Sequence, residues 1–254
     1  MRLLTPWRAA ALCLLFFGPA WASSKHDVIK IVLSMSNVHL VRAGDATILV
    51  DAGGKGDLAQ LEAALAQNGL RLEQLRLVIL THGHSDHAGL GAQLMRRGVP
   101  LMAGDGDLPM MEAGHNDELQ ATNFTAKLLK RFAIDPKYEP FKPTFAIARP
   151  QRLDQWGIAG QAVPMPGHTA GSLVIELDDG QALVGDMMLG GWLGGALAPS
   201  RAGEHYFQAD AKRNRANIET LLRRPVQVIH LGHGGPVNRE SVLRGFGIGA
   251  GAAQ

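Results

Sequence analysis

Apolar residues recur along this chain in two ways. Short alternating or continuous apolar runs bounded by polar turns predict strands, and spacings of three and four predict helices. Residues 28–33, 38–42 and 47–50 read as consecutive antiparallel strands, separated by Ser34-Met35-Ser36-Asn37 and Ala43-Gly44-Asp45. After a glycine-rich turn at 53–56, Asp57 is expected to cap a helix that sets Leu58, Leu61, Ala64 and Leu65 on one face, and Asn68-Gly69 to end it. The run 77–80 predicts a buried strand, 88–97 a short amphipathic helix, and 100–103 another strand. Residues 104–150 are less regular. Leu119, Phe124, Leu128 and Leu129 give helical periodicity to 116–132, and a proline-rich stretch follows at 136–143. In the second half, 161–163 predicts a strand and 172–177 with 181–184 a hairpin about Asp178-Asp179-Gly180. Then come a helix over 210–224 with Ile218, Leu221 and Leu222 inward, a buried strand over 226–231 and a last helix over 240–246. The glycine-rich 190–195 reads as flexible and the tail, 247–254, as frayed.

The pattern is mixed α and β, with no linker dividing it. The chain has 254 residues and is 46% apolar, enough for one sizeable core. Its start stands apart. Arg2 and Arg8 border an apolar run, 9–17, which Gly18-Pro19 breaks ahead of Ala20-Trp21-Ala22. That arrangement predicts a secretory leader over 1–22, cut near Ala22, with one domain over 23–254 in the periplasm or medium. The run is too short to span a bilayer. The formal charge of +2 equals the two leader arginines, so the remainder is neutral and does not suit nucleic acid. The single cysteine, Cys13, lies in the leader, which leaves no disulfide and no thiolate ligand in the mature chain. Leu12 stands where a lipid-attachment signal needs a small residue.

The chemistry concentrates at Thr81-His82-Gly83-His84-Ser85-Asp86-His87, where a predicted strand hands over to a predicted helix. In an extended segment alternate residues share a side, so His82 and His84 can converge on one metal ion. Asp86 and His87 are consecutive, diverge from the backbone and can reach a second. Imidazole with carboxylate suits zinc, iron and related divalent ions. Later candidates also follow strands: His168 in Pro166-Gly167-His168-Thr169, Asp186 after 181–184, and His233 in Leu231-Gly232-His233-Gly234. Asp51, ending 47–50, reads as a support that accepts a hydrogen bond from a ligand imidazole or fixes the loop. His39 and His230 fall in apolar strand patterns and read as core or surface residues. His26 reads as part of a disordered start and His115 as an exposed loop residue. For His205 and Tyr206 both a pocket role and a packing role stay open.

The stretch from His82 to His87 resembles the signature of the metallo-β-lactamase superfamily of hydrolases. The strand ending Asp51-Ala52-Gly53, the Pro166-Gly167-His168 loop, Val184-Gly185-Asp186 and Leu231-Gly232-His233 resemble that family's later motifs, in its order. The resemblance implies an α/β fold, an αββα four-layer sandwich of two mixed sheets flanked by helices. It implies His82, His84 and His168 on one metal, Asp86, His87 and His233 on a second, and Asp186 bridging them. Two divalent ions are implied, zinc by default with iron or manganese as alternatives. Six terminal donors and one bridging carboxylate leave an open position on each ion. The implied enzyme is an exported dinuclear hydrolase whose metal-bridging hydroxide attacks a small carbonyl substrate (ester, lactone, thioester or amide), Asp86 orienting it and moving a proton. An aspartate at 186 resembles glyoxalase II and the lactonases rather than class B β-lactamases, which carry cysteine or serine there. The other readings are a β-lactam hydrolase, a sulfur dioxygenase with one iron, and a non-catalytic metal-binding protein. No membrane span or nucleic acid is expected, and the oligomeric state stays open. The pocket wall is expected from 104–150 and 190–206, using Met110, Met111, Phe124, Tyr138, Phe141, Trp192, Tyr206 and the adjoining Phe207, with Lys137 and Lys142 as candidate anion clamps.

Overall fold

The computed structural model describes residues 25–132 and 135–249. The expected leader and the end of the tail lie outside them. Strands β1 (Asp27–Val32), β2 (Asn37–Ala43), β3 (Ala46–Val50), β4 (Val78–Ile79), β5 (Leu101–Gly104) and β6 (Phe145–Ile147) form one sheet in chain order. The first three are antiparallel, and β3 to β6 run parallel. The second sheet uses β7 (Gln151–Arg152), β8 (Gly160–Pro164), β9 (Leu173–Leu177) and β10 (Gln181–Leu183). A separate hairpin of β11 (Leu189–Trp192) and β12 (Leu197–Gly203) follows. Then β13 (Val228–His230) and β14 (Val237–Asn238) complete the second sheet, in the order β14-β13-β10-β9-β8-β7. Its only parallel pair is β10 with β13.

Alternation along the strands builds the layers. In β3, Ile48 and Val50 join the core between the sheets with Ile175 and Leu183, whereas Leu49 joins Leu61 and Leu65 of helix α1 (Leu58–Gln67). In β9, Leu173 and Ile175 point into the inter-sheet core. Val174 faces the layer holding Ile218, Leu221 and Leu222 of the helix over Ala211–Leu222. Each sheet is thus covered by its partner and by helices, which is the αββα sandwich. Burying a leucine of this kind contributes about 1.5–3 kcal/mol. No helix of the described residues is long and apolar enough to cross a membrane.

Several elements differ from expectation. The helix expected over 88–97 is two: α2 (Ser85–Ala88) and α3 (Gly91–Arg96). They break at Gly89, where a Cβ would lie 2.3 Å from the Ser85 carbonyl and 2.4 Å from the Lys55 nitrogen. The glycine-rich stretch after Leu189 is paired in the β11–β12 hairpin rather than free. After α4 (Leu108–Ala113), the helix expected over 116–132 forms only as α5 (Phe124–Phe132). Asn116 instead gives its side-chain oxygen to the Ser85 amide and its own amide to the Pro136 carbonyl. Asn123 accepts from the Ala126 amide and starts α5 there. Phe124 and Leu128, which carry part of that periodicity, are exposed. Asp57 does not cap α1; its carboxylate accepts from Ser34 Oγ and the Gly54 amide and closes the preceding turn. His26, expected to be disordered, is buried against Asp179, with Nδ1 3.1 Å from Oδ2. The last long helix, α6 (Ala211–Leu222), is capped by Asp210 accepting from the Arg213 amide, and α7 (Arg239–Phe246) closes the described chain.

Candidate metal centre

Strand ends deliver the site. His82 lies three residues past β4, and His84, Asp86 and His87 sit at the entry to and within α2. His168 stands on the β8–β9 connection, Asp186 in a short turn after β10, and His233 just past β13. Both sheets therefore contribute to one cleft. His82, His84, His87, His168 and Asp186 are buried, while Asp86 and His233 are partly exposed at its mouth. All seven residues expected as ligands are brought together.

Four groups of three have donor atoms within 4.8 Å of one another: His82, His84 and His168; His82, His87 and Asp186; Asp86, His87 and His233; and His168, Asp186 and His205. Asp186 is the hub. Its Oδ2 lies 3.3 Å from His233 Nε2, 3.8 Å from His168 Nε2 and 3.9 Å from His82 Nε2, and its Oδ1 lies 3.5 Å from His87 Nε2. Asp86 Oδ2 stands 3.2 Å from His233 Nε2 and 3.5 Å from His87 Nε2.

The donor set fits a cation. His82 Nε2, His87 Nε2 and Asp186 Oδ1 are buried with no hydrogen-bond partner among the described residues. Leaving such an atom unpaired costs about 1–3 kcal/mol. His168 donates through Nδ1 to the Phe207 carbonyl at 2.9 Å, and His84 Nε2 faces Asp117 Oδ1 at 3.0 Å. In the neutral rings the remaining nitrogens, His168 Nε2 and His84 Nδ1, present lone pairs to each other at 3.1 Å. A cation between them removes that conflict.

Two more imidazoles, those of His87 and His82, are held from behind. Asp51 Oδ2 lies 3.0 Å from His87 Nδ1, and its carboxylate also accepts from the Thr81 amide at 2.7 Å and from Thr81 Oγ1 at 2.8 Å. Thr81 Oγ1 in turn lies 3.0 Å from His82 Nδ1. Asp51 has a φ of +64°, a left-handed conformation that aspartate tolerates better than most residues. Gly232 is needed beside the hub, since a Cβ there would lie 2.2 Å from Asp186 Oδ1 and 2.6 Å from His87 Cε1.

Other supports carried no sequence signal. Asp107 is buried and accepts from the Gly83 amide at 2.9 Å, Thr169 Oγ1 at 2.7 Å and the Gly171 amide at 2.7 Å. It thereby ties the His82–His84 loop to the His168 loop. Asn37 donates to the Leu231 and Gly234 carbonyls on either side of His233, at 3.0 and 2.9 Å. Asp117, Asp107 and Asn37 act across long sequence separations, so only tertiary structure reveals them. His115 is an exposed loop residue, and His39 and His230 are buried between the sheets.

Charge is unevenly shared among the side chains of the cleft. Burial opposes ionisation of Asp186, but His233, His205 and His87 outweigh it and hold its carboxyl well below the usual range. Burial likewise opposes the charge on Asp86, which His87 and His233 overcome. Burial disfavours protonated His233, yet Asp186 and Asp86 push it up to about 10. His87 is raised well above its ordinary value for the same reason, burial being outweighed by Asp186, Asp86 and Asp51. Burial, with the neighbouring imidazoles, lowers His82 and His168 and keeps them neutral. The cleft is built around charge that its own histidines balance only in part.

A cavity of about 730 Å³ opens over the donors. Leu119, Leu129 and Lys137 line it from 104–150, and Leu193, His205 and Tyr206 from the expected second stretch. The turn at Val32–Asn37 and the segment 54–57 also line it, which was not expected. Met110, Met111, Tyr138 and Phe141 are instead buried core residues, and Tyr138 Oη donates to the Gly83 carbonyl at 2.6 Å beneath the metal loop. Phe124 and Trp192 line a separate groove. Lys142 pairs with Glu112 and is no clamp in this cavity.

The sequence profile of the metallo-beta-lactamase superfamily matches residues 31–233. The probable metallo-hydrolase YflN of Bacillus subtilis (strain 168) is 26% identical over 191 residues, 68% of this chain and 67% of that protein. A hydroxyacylglutathione hydrolase of Anaeromyxobacter dehalogenans (strain 2CP-C) is 26% identical over 157 residues, 61% of this chain; the match spans under half, 46%, of that relative. Among solved structures, the subclass B3 metallo-beta-lactamase BJP-1 of Bradyrhizobium japonicum superposes with a TM-score of 0.62 at 18% identity, covering 89% of each chain. At that identity the likeness concerns the fold. The motifs, the sandwich, the clustered donors and the profile agree: the chain belongs to the metallo-beta-lactamase superfamily and is a metal-dependent hydrolase of that superfamily.

Proposed function

We propose that the protein is an exported hydrolase of small, uncharged carbonyl compounds (esters, lactones, thioesters or amides) that works with two divalent metal ions. The observation that carries this reading is the convergence of seven donors, three of them with unpartnered buried atoms, at the floor of an apolar cavity. His82, His84 and His168 would hold one ion, Asp86, His87 and His233 the other, and Asp186 both. Such ions supply Lewis acidity and bring the pKa of water from 15.7 to about 7. The chain's own residues do the rest. The orienting contacts of Asp51, Thr81, Asp117 and the Phe207 carbonyl fix the imidazoles of His87, His82, His84 and His168 and keep their metal-facing nitrogens free. Asp86 is partly exposed, lines the cavity and, through the carboxylate oxygen not turned to His87 and His233, can accept a proton from an attacking water and pass it to the leaving group.

The substrate class follows from the walls. Leu33, Met35, Leu119, Leu129, Leu193 and Phe207 make them largely apolar. Among the described residues, the carboxylates of Asp57, Asp86, Asp135 and Asp186 line the cavity with two lysines, and Lys55 is held by Asp135 at 2.5 Å. A polyanion finds little to bind there, whereas a neutral carbonyl compound of modest size fits. The test is a panel of lactones, thioesters, aryl esters, β-lactams and bis-nitrophenyl phosphate, run on metal-loaded protein. A carbonyl substrate should turn over fastest, and fastest turnover of the phosphodiester would overturn the assignment. Export rests on the leader pattern of residues 1–22. Mass spectrometry of protein from a native-like host should find an N-terminus near Ser23, and intact Met1 in soluble material contradicts export.

A further inference from the structure

Resting on the two-metal reading above, we infer that His205 is an eighth member of the donor set, binding an ion through Nε2 from the cavity side. His205 is buried, lines the cavity and carries no family motif in the sequence. Its Nε2 lies 3.2 Å from Asp186 Oδ2, and with His168 and Asp186 it completes one of the four clusters of donor atoms. Its ring centre is 4.9 Å from that of His168, and it stacks on His233 at 5.7 Å.

The backbone holds it there. The Phe207 carbonyl that accepts from His168 Nδ1 also stands 3.2 Å from His205 Nδ1, so one oxygen can set the orientation of both rings. Both Nε2 atoms then face the same carboxylate oxygen. A histidine that binds metal through one nitrogen commonly donates the other to a carbonyl in this way. The segment is pinned on both sides. Thr122 Oγ1 donates to the His205 carbonyl at 3.0 Å, and the Ala209 and Asp210 amides donate to the His168 and Gly167 carbonyls at 3.0 and 2.8 Å.

The competing role is a hydrogen-bond donor. The Phe207 amide lies 3.3 Å from His205 Nδ1, and donation from it would leave Nε2–H to bond Asp186. Nε2 atoms of His205, His233, His168 and His82 all lie within 3.9 Å of Asp186 Oδ2. With Nδ1–H on the Phe207 carbonyl, as in His168, His205 presents its Nε2 lone pair to the cluster it forms with His168 and Asp186.

His205→Gln separates the roles, because its amide can still donate to Asp186 but is a poor metal ligand. Wild type, His205→Gln and His205→Ala are loaded with metal and dialysed against graded chelator, with metal content by elemental analysis and fold by circular dichroism. Cobalt-substituted samples give absorption spectra. Both variants should release one ion at chelator concentrations roughly tenfold or more below wild type, with an altered cobalt spectrum. The Gln variant carries the test if the Ala variant does not fold. Wild-type retention and spectrum in His205→Gln overturn the assignment alone. Wild-type protein that holds no ion overturns it together with the reading beneath it.

Discussion

Asp51 shows how much of this site depends on single atoms that never reach the cavity. It ends β3 in a left-handed conformation and there receives Thr81 twice and His87 once. Asp51→Asn keeps the volume but removes the charge and one acceptor. His87 then loses the partner that fixes its tautomer, and metal affinity should fall by about 10–100-fold while the circular dichroism spectrum is retained. Chelator competition measures it, and unchanged affinity would mean that Asp51 merely closes a turn. Asp51 was legible in the sequence because Asp51-Ala52-Gly53 closes an apolar run with a turn that resembles the family's, although its partner Thr81 lies 30 residues on. Asp107, Asn37 and Asp117 were not, and for His205 the sequence leaves a pocket role open beside packing. Each acts on a segment far along the chain, at a distance that only packing determines, and a lone polar residue in a loop gives no periodic signal.

At the scale of elements, the two sheets meet through a histidine pair. His39 on β2 and His230 on β13 have ring centres 5.4 Å apart, and His230 Nε2 lies 3.0 Å from Gln181 Oε1. Burial lowers both, with Lys30 adding to it; Asp179 opposes the shift at His230, which falls to about 4, and His230 and His87 push His39 down further. Because the folded values lie below the ordinary 6.5, the unfolded chain takes up protons first as pH falls. The pair's contribution to stability is therefore complete above that ordinary value and is lost as pH falls through about 4. The urea midpoint should drop between about pH 7 and pH 5. His230→Gln, which removes one of the titrating rings, should make that drop smaller. Equal pH dependence in the two proteins would remove the pair from the account. Strands were the most legible elements, since residues buried on both faces leave near-continuous apolar runs such as 47–50 and 77–80. The stretch 116–132 misled because side-chain bonds from Asn116 and Asn123 decide where the chain turns helical, and the exposed Phe124 and Leu128 imitate a buried face. The β11–β12 hairpin was read as flexible because its glycines resemble a loop, although they serve close backbone pairing beside the His233 loop.

At the scale of the molecule, the sandwich explains why a cleft forms at all. Two sheets packed face to face leave their strand ends exposed along one edge, and loops leaving β4, β8, β10 and β13 converge there. The inter-sheet core sets their spacing, while Asp107 and Asn37 lock the loops to each other. A rigid frame thus holds several imidazoles and two carboxylates at distances that like-charged or unpaired groups would otherwise refuse. The proposed two ions would complete this frame, and hydrolysis would need both. Elemental analysis of purified protein, paired with turnover of its best substrate as metal is stripped and restored stepwise, tests it most directly. About two divalent ions per chain are expected, with a rate that rises until the second is bound. Full rate with a single ion, or hydrolysis that persists in metal-stripped protein, would contradict it.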